Sequence, residues 1–389
     1  MISAPKAPLT CQREAFSLPP GLHYLNGAYM SPLSKAVEAA GHGGIMFKTV
    51  PTQISPPDFF SGVDDAKRHF AQLVNAPAAR IALIPAVSYG IATVAANLDL
   101  ESGQRIVLLH EQFPSNVYTW RRLQADGIII DTVQPPTREA RGQHWNEAIL
   151  DAIRPDTAVV ALGHVHWADG TKFDLDAISQ KTREVGAALV IDGTQSVGAL
   201  PFDVGRYQPD ALICGGYKWL MGPYGLGYAY YGPRFAEGQP LEDNWIARAG
   251  SEDFSGLVNY QDDYAPGAAR FDVGEKSNPI LIPMMIAALG ELLERDPARI
   301  QDYCRRLTQH ALTQLADYGY QLEDDSYRAH HLFGVRLPER VNLDTLKQAL
   351  QAANVAVSVR GDAVRVSPNI YNDEADIDAL SRVLIQVAS

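Results

Sequence analysis

The chain has 389 residues, enough for two domains or one large and one small, and it is 46% apolar and 20% charged, as in an ordinary globular protein. A net charge of -12 excludes a broad nucleic-acid or anionic-membrane surface, because phosphate recognition needs clustered Lys and Arg. Cys11, Cys214 and Cys304 are too scattered for a disulfide framework or a metal-ligand pattern, so a reducing cytoplasm is expected.

The opening MISAPKAPLTCQREAFSLPPG lacks an apolar core of signal-peptide length and reads as an N-terminal arm over 1–22; no later stretch approaches a membrane span. Segment 39–60, with its GHGG and PTQISPP, reads as an irregular surface loop. IALIPAVSYGIATVAANL (81–98) predicts a strand, a turn and an amphipathic helix. Short apolar runs then follow one another: RIVLLH (105–110), GIIIDTV (127–133), AVVALGHV (158–165), AALVIDG (187–193), ALICGGY (211–217) and LGYAYYG (226–232). Most are near-continuous in Val, Ile, Leu and Ala, the mark of strands in a sheet covered on both faces. Helical patterns lie between several of them, such as DLDAISQKTREVG (174–186), closed by glycine. The alternation predicts an α/β domain with a mostly parallel sheet, in which ligands bind beyond the carboxyl ends of the strands. His164, Asp192 and Lys218 fall at or just after such ends and are expected to meet.

Near residue 280 the pattern changes. Two helices, LIPMMIAALGELLE and PARIQDYCRRLTQHALTQLADYG, lead to the strand HLFGVRL, the helix LDTLKQALQAAN, the hairpin VAVSVRGDAVRVS and a last helix from about Asp373. This predicts a large domain over 23–280 and a smaller α+β domain over 281–389. With Gly361–Asp362 as a two-residue turn, Arg360 pairs with Ala363 and Ser358 with Arg365, which puts both arginines on one face. A guanidinium suits a substrate carboxylate better than an ammonium does.

The stretch DGTQSVGALPFDVGRYQPDALICGGYKWLMGPYGLG (192–227) sets a carboxylate after one strand and a lone lysine after another, both near the interior. Unpaired charge is costly there. Pyridoxal 5'-phosphate makes sense of both residues. A desolvated lysine becomes an amine nucleophile for the cofactor aldehyde, and the pyridine nitrogen needs a carboxylate to stay protonated. Lys218 and Asp192 supply these, and Gln195 is close enough to bind the phenolic oxygen. The backbone of Val87 and Ser88, at a helix start, would face the phosphate together with the Ser88 hydroxyl and Tyr217. Phe113 would cover the ring.

On HYLNGAYMSPLS, AVSYGI, FPSN, DGTQSVGA, GGYKWLMGPYGLG, DNWIARAG, GAARFDVGEKSNPI and VRVSPNIYNDEADIDAL, the chain resembles the class V aminotransferase family of fold-type I pyridoxal phosphate enzymes. That family includes cysteine desulfurases, kynureninases and isopenicillin N epimerase-like proteins. The resemblance implies a homodimer with its active site at the subunit interface, and Lys218 as the residue joined to the cofactor. Trp245 and Asn278 match positions that line the site in kynureninases, partly across a dimer interface. Asn26 matches the segment that closes over substrate. Arg365 aligns with the kynureninase carboxylate clamp and Arg360 with the desulfurase one; Arg365 is favoured. No cysteine stands where desulfurases carry their nucleophile, which argues against persulfide formation. His166–Trp167 replace a small polar residue or Asn and imply a reshaped substrate pocket, while Gly216 replaces a phosphate-binding hydroxyl.

The expected activity is on an α-amino acid through an external aldimine and a carbanion/quinonoid, with cleavage at or beyond Cβ favoured. Transamination is the alternative, and epimerisation the third outcome. The H-x-H of His164 and His166 lacks a third ligand at recognisable spacing, so no metal is expected. A distant rival is an α/β-hydrolase, with AVSYG as a degenerate nucleophile elbow at Ser88 and His330 or His331 as its histidine.

Overall fold

The computed structural model describes residues 7–135 and 138–389; residues 1–6 of the expected N-terminal arm lie outside them. A seven-stranded sheet is built from β1 (Ile81–Ile84), β2 (Arg105–Leu109), β3 (Ile129–Val133), β4 (Thr157–Gly163), β5 (Ala188–Asp192), β6 (Ala211–Gly215) and β7 (Gly227–Tyr231). Their order is β1-β7-β6-β5-β4-β2-β3, and only β7 runs against its neighbours. The last residues of β1, β2, β4, β5 and β6 therefore reach the same edge, where a doubly wound sheet places its ligands.

Alternate residues of each strand feed two cores. Leu83, Val107, Leu109, Val160 and Leu162 join one, and Ala82, Ile84, Ile106, Leu108 and Val159 the other. The first core is closed by α2 (Ser61–Leu73), α4 (Arg141–Ala152), α5 (Leu175–Val185) and α6 (Leu281–Arg295); the second by α3 (Val87–Ala96). α5 begins at Asp174, whose side chain accepts from Ala177 N, and stops at Gly186 in the left-handed region, as its sequence predicts.

Two expectations are corrected. GIIIDTV does not form a buried strand: β3 is the outermost strand, and Ile129 is 39% exposed. Apolar content alone does not tell an edge strand from an inner one. Nor is 39–60 irregular throughout. Residues Lys35–Lys48 form helix α1, capped by Ser34 Oγ on Val37 N. Two of its three glycines are contact points, not breaks: a Cβ on Gly44 would overlap the Pro279 carbonyl, and one on Gly41 would press on Met284 of α6.

α7 (Pro297–Asp317) leads to a three-stranded antiparallel sheet of order β9-β10-β8, made of β8 (Phe333–Arg336), β9 (Ser358–Arg360) and β10 (Ala363–Val366), with α8 (Leu343–Ala352) and α9 (Glu374–Ala388) packed on it. The hairpin register is Ser358 with Arg365 and Arg360 with Ala363, as the Gly361–Asp362 turn dictates. Parallel pairing of His23–Tyr24 with Val355–Ala356 ties the start of the chain to this unit.

Candidate active site

A cavity of about 220 Å³ opens at the shared strand edge. Lys218, three residues beyond β6, lies on its wall and is 6% exposed. Burial pushes its pKa down to about 8, with Arg365 and Arg360 adding to the effect and Asp192 opposing it. A useful fraction of unprotonated amine is thus present near neutral pH. Asp192, the last residue of β5, lines the same cavity and accepts from Thr194 N at 3.0 Å. Its pKa is raised by burial, against the pull of Thr194 and Lys218. A cationic partner inside the cavity would reverse that shift.

Phe113 follows β2, lines the cavity, and holds its ring centroid 5.2 Å from Lys218 Nζ. Trp167 meets it edge-on at 5.6 Å. Gln195 lines the cavity with a fixed amide: its oxygen accepts from Trp219 Nε1 at 2.9 Å and its nitrogen donates to Ala28 O at 3.1 Å, which leaves one N–H over. Tyr217 lines the cavity and packs on Tyr224. Val87, the first residue of α3, also lines it. α3 follows Ala86, which offers no side-chain cap; Tyr89 N and Gly90 N donate to Ala86 O, which leaves the N–H groups of Val87 and Ser88 for a ligand. Ser88 is exposed and is not among the residues lining the cavity.

The arginine hairpin approaches from the small unit. Arg365 is 2% exposed; it donates to Trp167 O at 2.8 Å and to Ser358 Oγ at 3.3 Å. Ser358 Oγ in turn donates to Asn26 Oδ1 at 2.9 Å, which links Asn26 to Arg365 through Ser358. Arg360 lies over the Trp167 ring at 5.5 Å. Trp245 and Asn278 are elsewhere in the chain, in an apolar groove with Phe47, Phe59 and Ile282.

His164 does not join Asp192 and Lys218. It packs between Phe202 and Tyr207, lines a different depression, and burial holds its pKa down to about 3. The chain turns after β4, and His166 enters the cavity instead. Nor do the described residues show a hydrolase arrangement. His331 is buried, with one ring nitrogen on Gln195 O and the other on the Gln301 amide, while Ser88 stands at the helix start. Thr194 was not singled out from the sequence. It lines the cavity, and its hydroxyl accepts from Gly215 N, clamping the Asp192 turn to β6; its place inside DGTQS was the available signal. Gly216 leaves no room for a hydroxyl, because a Cβ there would overlap Leu226 O and Met285.

A buried lysine and a carboxylate on neighbouring strand ends, beside an uncapped helix start and an aromatic ring, define a vitamin B6 enzyme of fold type I. The chain belongs to the aminotransferase class V family, whose model matches residues 57–380. It is 26% identical over 333 residues to isopenicillin N epimerase of Streptomyces clavuligerus, covering 82% of this chain and 83% of that one. It is 27% identical over 342 residues to kynureninase of Burkholderia pseudomallei, covering 84% and 79%. A structure of C-DES with glycine linked covalently to its pyridoxal phosphate superposes with a TM-score of 0.85 at 19% identity, over 97% of this chain and all of that one. Pyridoxal 5'-phosphate is the family's cofactor, and the groups on this cavity fit it: an amine, an accepting carboxylate, an amide N–H and unpaired helix N–H groups. No described helix is long and apolar enough to cross a membrane.

Proposed function

We propose that this protein acts on an α-amino acid and cleaves a bond at or beyond Cβ, as a lyase or a kynureninase-like hydrolase. The observation that carries the reading is the single cavity shared by Lys218 and Asp192. When bound, the cofactor draws the electron pair released at Cα into its ring. Lys218 would hold the cofactor and, once released, take the α-proton on Nζ; its low pKa suits it to that work near neutral pH. Asp192 would hold a proton on the ring nitrogen. The N–H groups of Val87 and Ser88 at the helix start, with Tyr217, would bind the phosphate, Gln195 the phenolic oxygen, and Phe113 the ring face. Arg365, fixed by Trp167 and Ser358, would clamp the substrate carboxylate.

Cleavage is preferred to transamination on the FPSN and SNPI blocks and Trp245, which look more like kynureninase than like dedicated transaminases. No cysteine lines the cavity among the described residues, and Cys304 is buried in α7, so a persulfide route finds no support. We further place the protein in the cytoplasm as a homodimer. Its partner subunit would cover the groove holding Trp245 and Asn278 and bring those residues to the neighbouring cavity.

Borohydride treatment of the yellow protein, followed by peptide mass spectrometry, is expected to find the cofactor fixed to Lys218; an unmodified Lys218 in cofactor-saturated protein overturns the reading. A panel of amino acids then separates the reactions. Release of pyruvate, alanine or another fragment supports cleavage, whereas accumulation of the cofactor in its amine form moves the assignment to transamination.

A further inference from the structure

His166 is 3% exposed and lines the cavity that holds Lys218 and Asp192. Its Nε2 has no hydrogen-bond partner among the described residues, while Nδ1 lies 3.2 Å from Asp169 Oδ1. An ionised carboxylate can only accept, so Nδ1 carries a proton, and Nε2 is the buried ring nitrogen left without a partner on a residue that lines the cavity. Asp169 is itself fixed. Thr171 donates to Oδ1 from its backbone and its hydroxyl, and Arg141 and Arg336 bind Oδ2 at 3.0 and 2.7 Å. Trp145 packs on the imidazole at 4.9 Å, so the ring is held from behind and free only at Nε2.

Of the other titratable groups on the cavity wall, Tyr224 is 69% exposed and three have tasks in the reading above. Lys218 serves the α-proton, Asp192 the ring nitrogen and Tyr217 the phosphate. Cleavage beyond Cα adds one demand, a proton for the departing group. We infer that His166, oriented by Asp169, is the general acid that protonates the leaving group. The inference rests on the bond-cleaving reading above. In the step, the electron pair left by the α-proton closes the Cα–Cβ double bond. The pair of the Cβ–X bond leaves on X, which takes the proton from Nε2. The imidazolium becomes neutral and regains its proton from water. Asp169 is held ionised by His166, Arg141 and Arg336 against the opposing effect of burial.

Leaving-group dependence tests this. Holoenzyme, His166→Asn and Asp169→Asn are compared on 3-chloroalanine, whose chloride departs without a proton, and on S-methylcysteine, whose thiolate is a poor leaving group. Loss of the acid is expected to slow S-methylcysteine cleavage by about 100-fold in His166→Asn and less in Asp169→Asn, with 3-chloroalanine changed by under about threefold. The cofactor absorption spectrum and the cofactor dissociation constant are expected to stay within about twofold of the parent. Equal slowing of both substrates, or of neither, overturns the assignment, and so does a parent enzyme that cleaves only 3-chloroalanine. A large spectral shift in His166→Asn also overturns it, because the ring would then be holding the cofactor. A parent enzyme that releases a fragment from neither substrate, nor from any amino acid in the wider panel, overturns the bond-cleaving reading itself.

Discussion

Lys218 is expensive to keep charged where it stands. Its pKa lies near 8 against 10.5 for the ordinary side chain, so below pH 8 the folded chain carries a penalty on the order of 3 kcal/mol. Between pH 8 and about 10.5 the unfolded chain binds more protons than the folded one, so stability from this group rises with pH. Cofactor-free Lys218→Met is therefore expected to withstand more urea than the parent at pH 7, with the gap closing by about pH 10; a pH-independent gap rejects the low pKa. The two arginines divide by burial. Arg365 is enclosed and doubly anchored, whereas Arg360 is only partly buried over Trp167. Arg365→Lys keeps the charge but loses the fork, and should raise KM for the amino acid by roughly 30- to 100-fold, against a few-fold for Arg360→Lys. The reverse order, read from initial rates, would give the clamp to Arg360.

Among the elements, α1 shows what residue patterns reveal and what they hide. GHGG reads as a breaker because glycine costs a helix about 1 kcal/mol. Inside α1, Gly44 lets the backbone approach Pro279 and Ile280 at the start of α6, a contact made across more than two hundred residues of chain. Gly43, its neighbour, meets nothing within 4 Å. Alanine at the two positions should act in opposite directions. Gly44→Ala is expected to destabilise by about 2 kcal/mol or more through overlap, and Gly43→Ala to stabilise by up to about 1 kcal/mol. Thermal melts of the two variants decide it, and equal shifts would deny the close crossing. The β9–β10 hairpin is the opposite case, since Gly361–Asp362 and strict alternation fix its register locally. The meeting of Asp192 and Lys218 at one cavity was legible for a similar reason, one standing at the end of an apolar strand and the other just beyond one. The exposure of β3 and the departure of His164 from the site were not, because strand order and the turn after β4 depend on distant partners.

At the scale of the whole molecule, the question is whether one chain holds a complete site. Trp245 is 43% exposed beside Phe59, Phe254 and Ile282, an apolar surface that a second copy would cover in the homodimer proposed above. If Trp245 serves the partner's cavity, a protein lacking Lys218 and one lacking Trp245 carry complementary defects. In a mixed dimer, one site combines both lesions, while the other takes its lysine from one chain and its tryptophan from the other and is intact. Unfolding and refolding equal amounts of Lys218→Ala and Trp245→Ala chains together should therefore recover about a quarter of the parent activity, since half the dimers are mixed and each holds one intact site. Either variant refolded alone stays near its own residual rate. Should the mixture show only the average of the two variants, Trp245 works within its own chain or only in folding, and the shared site is wrong even if sedimentation shows a dimer.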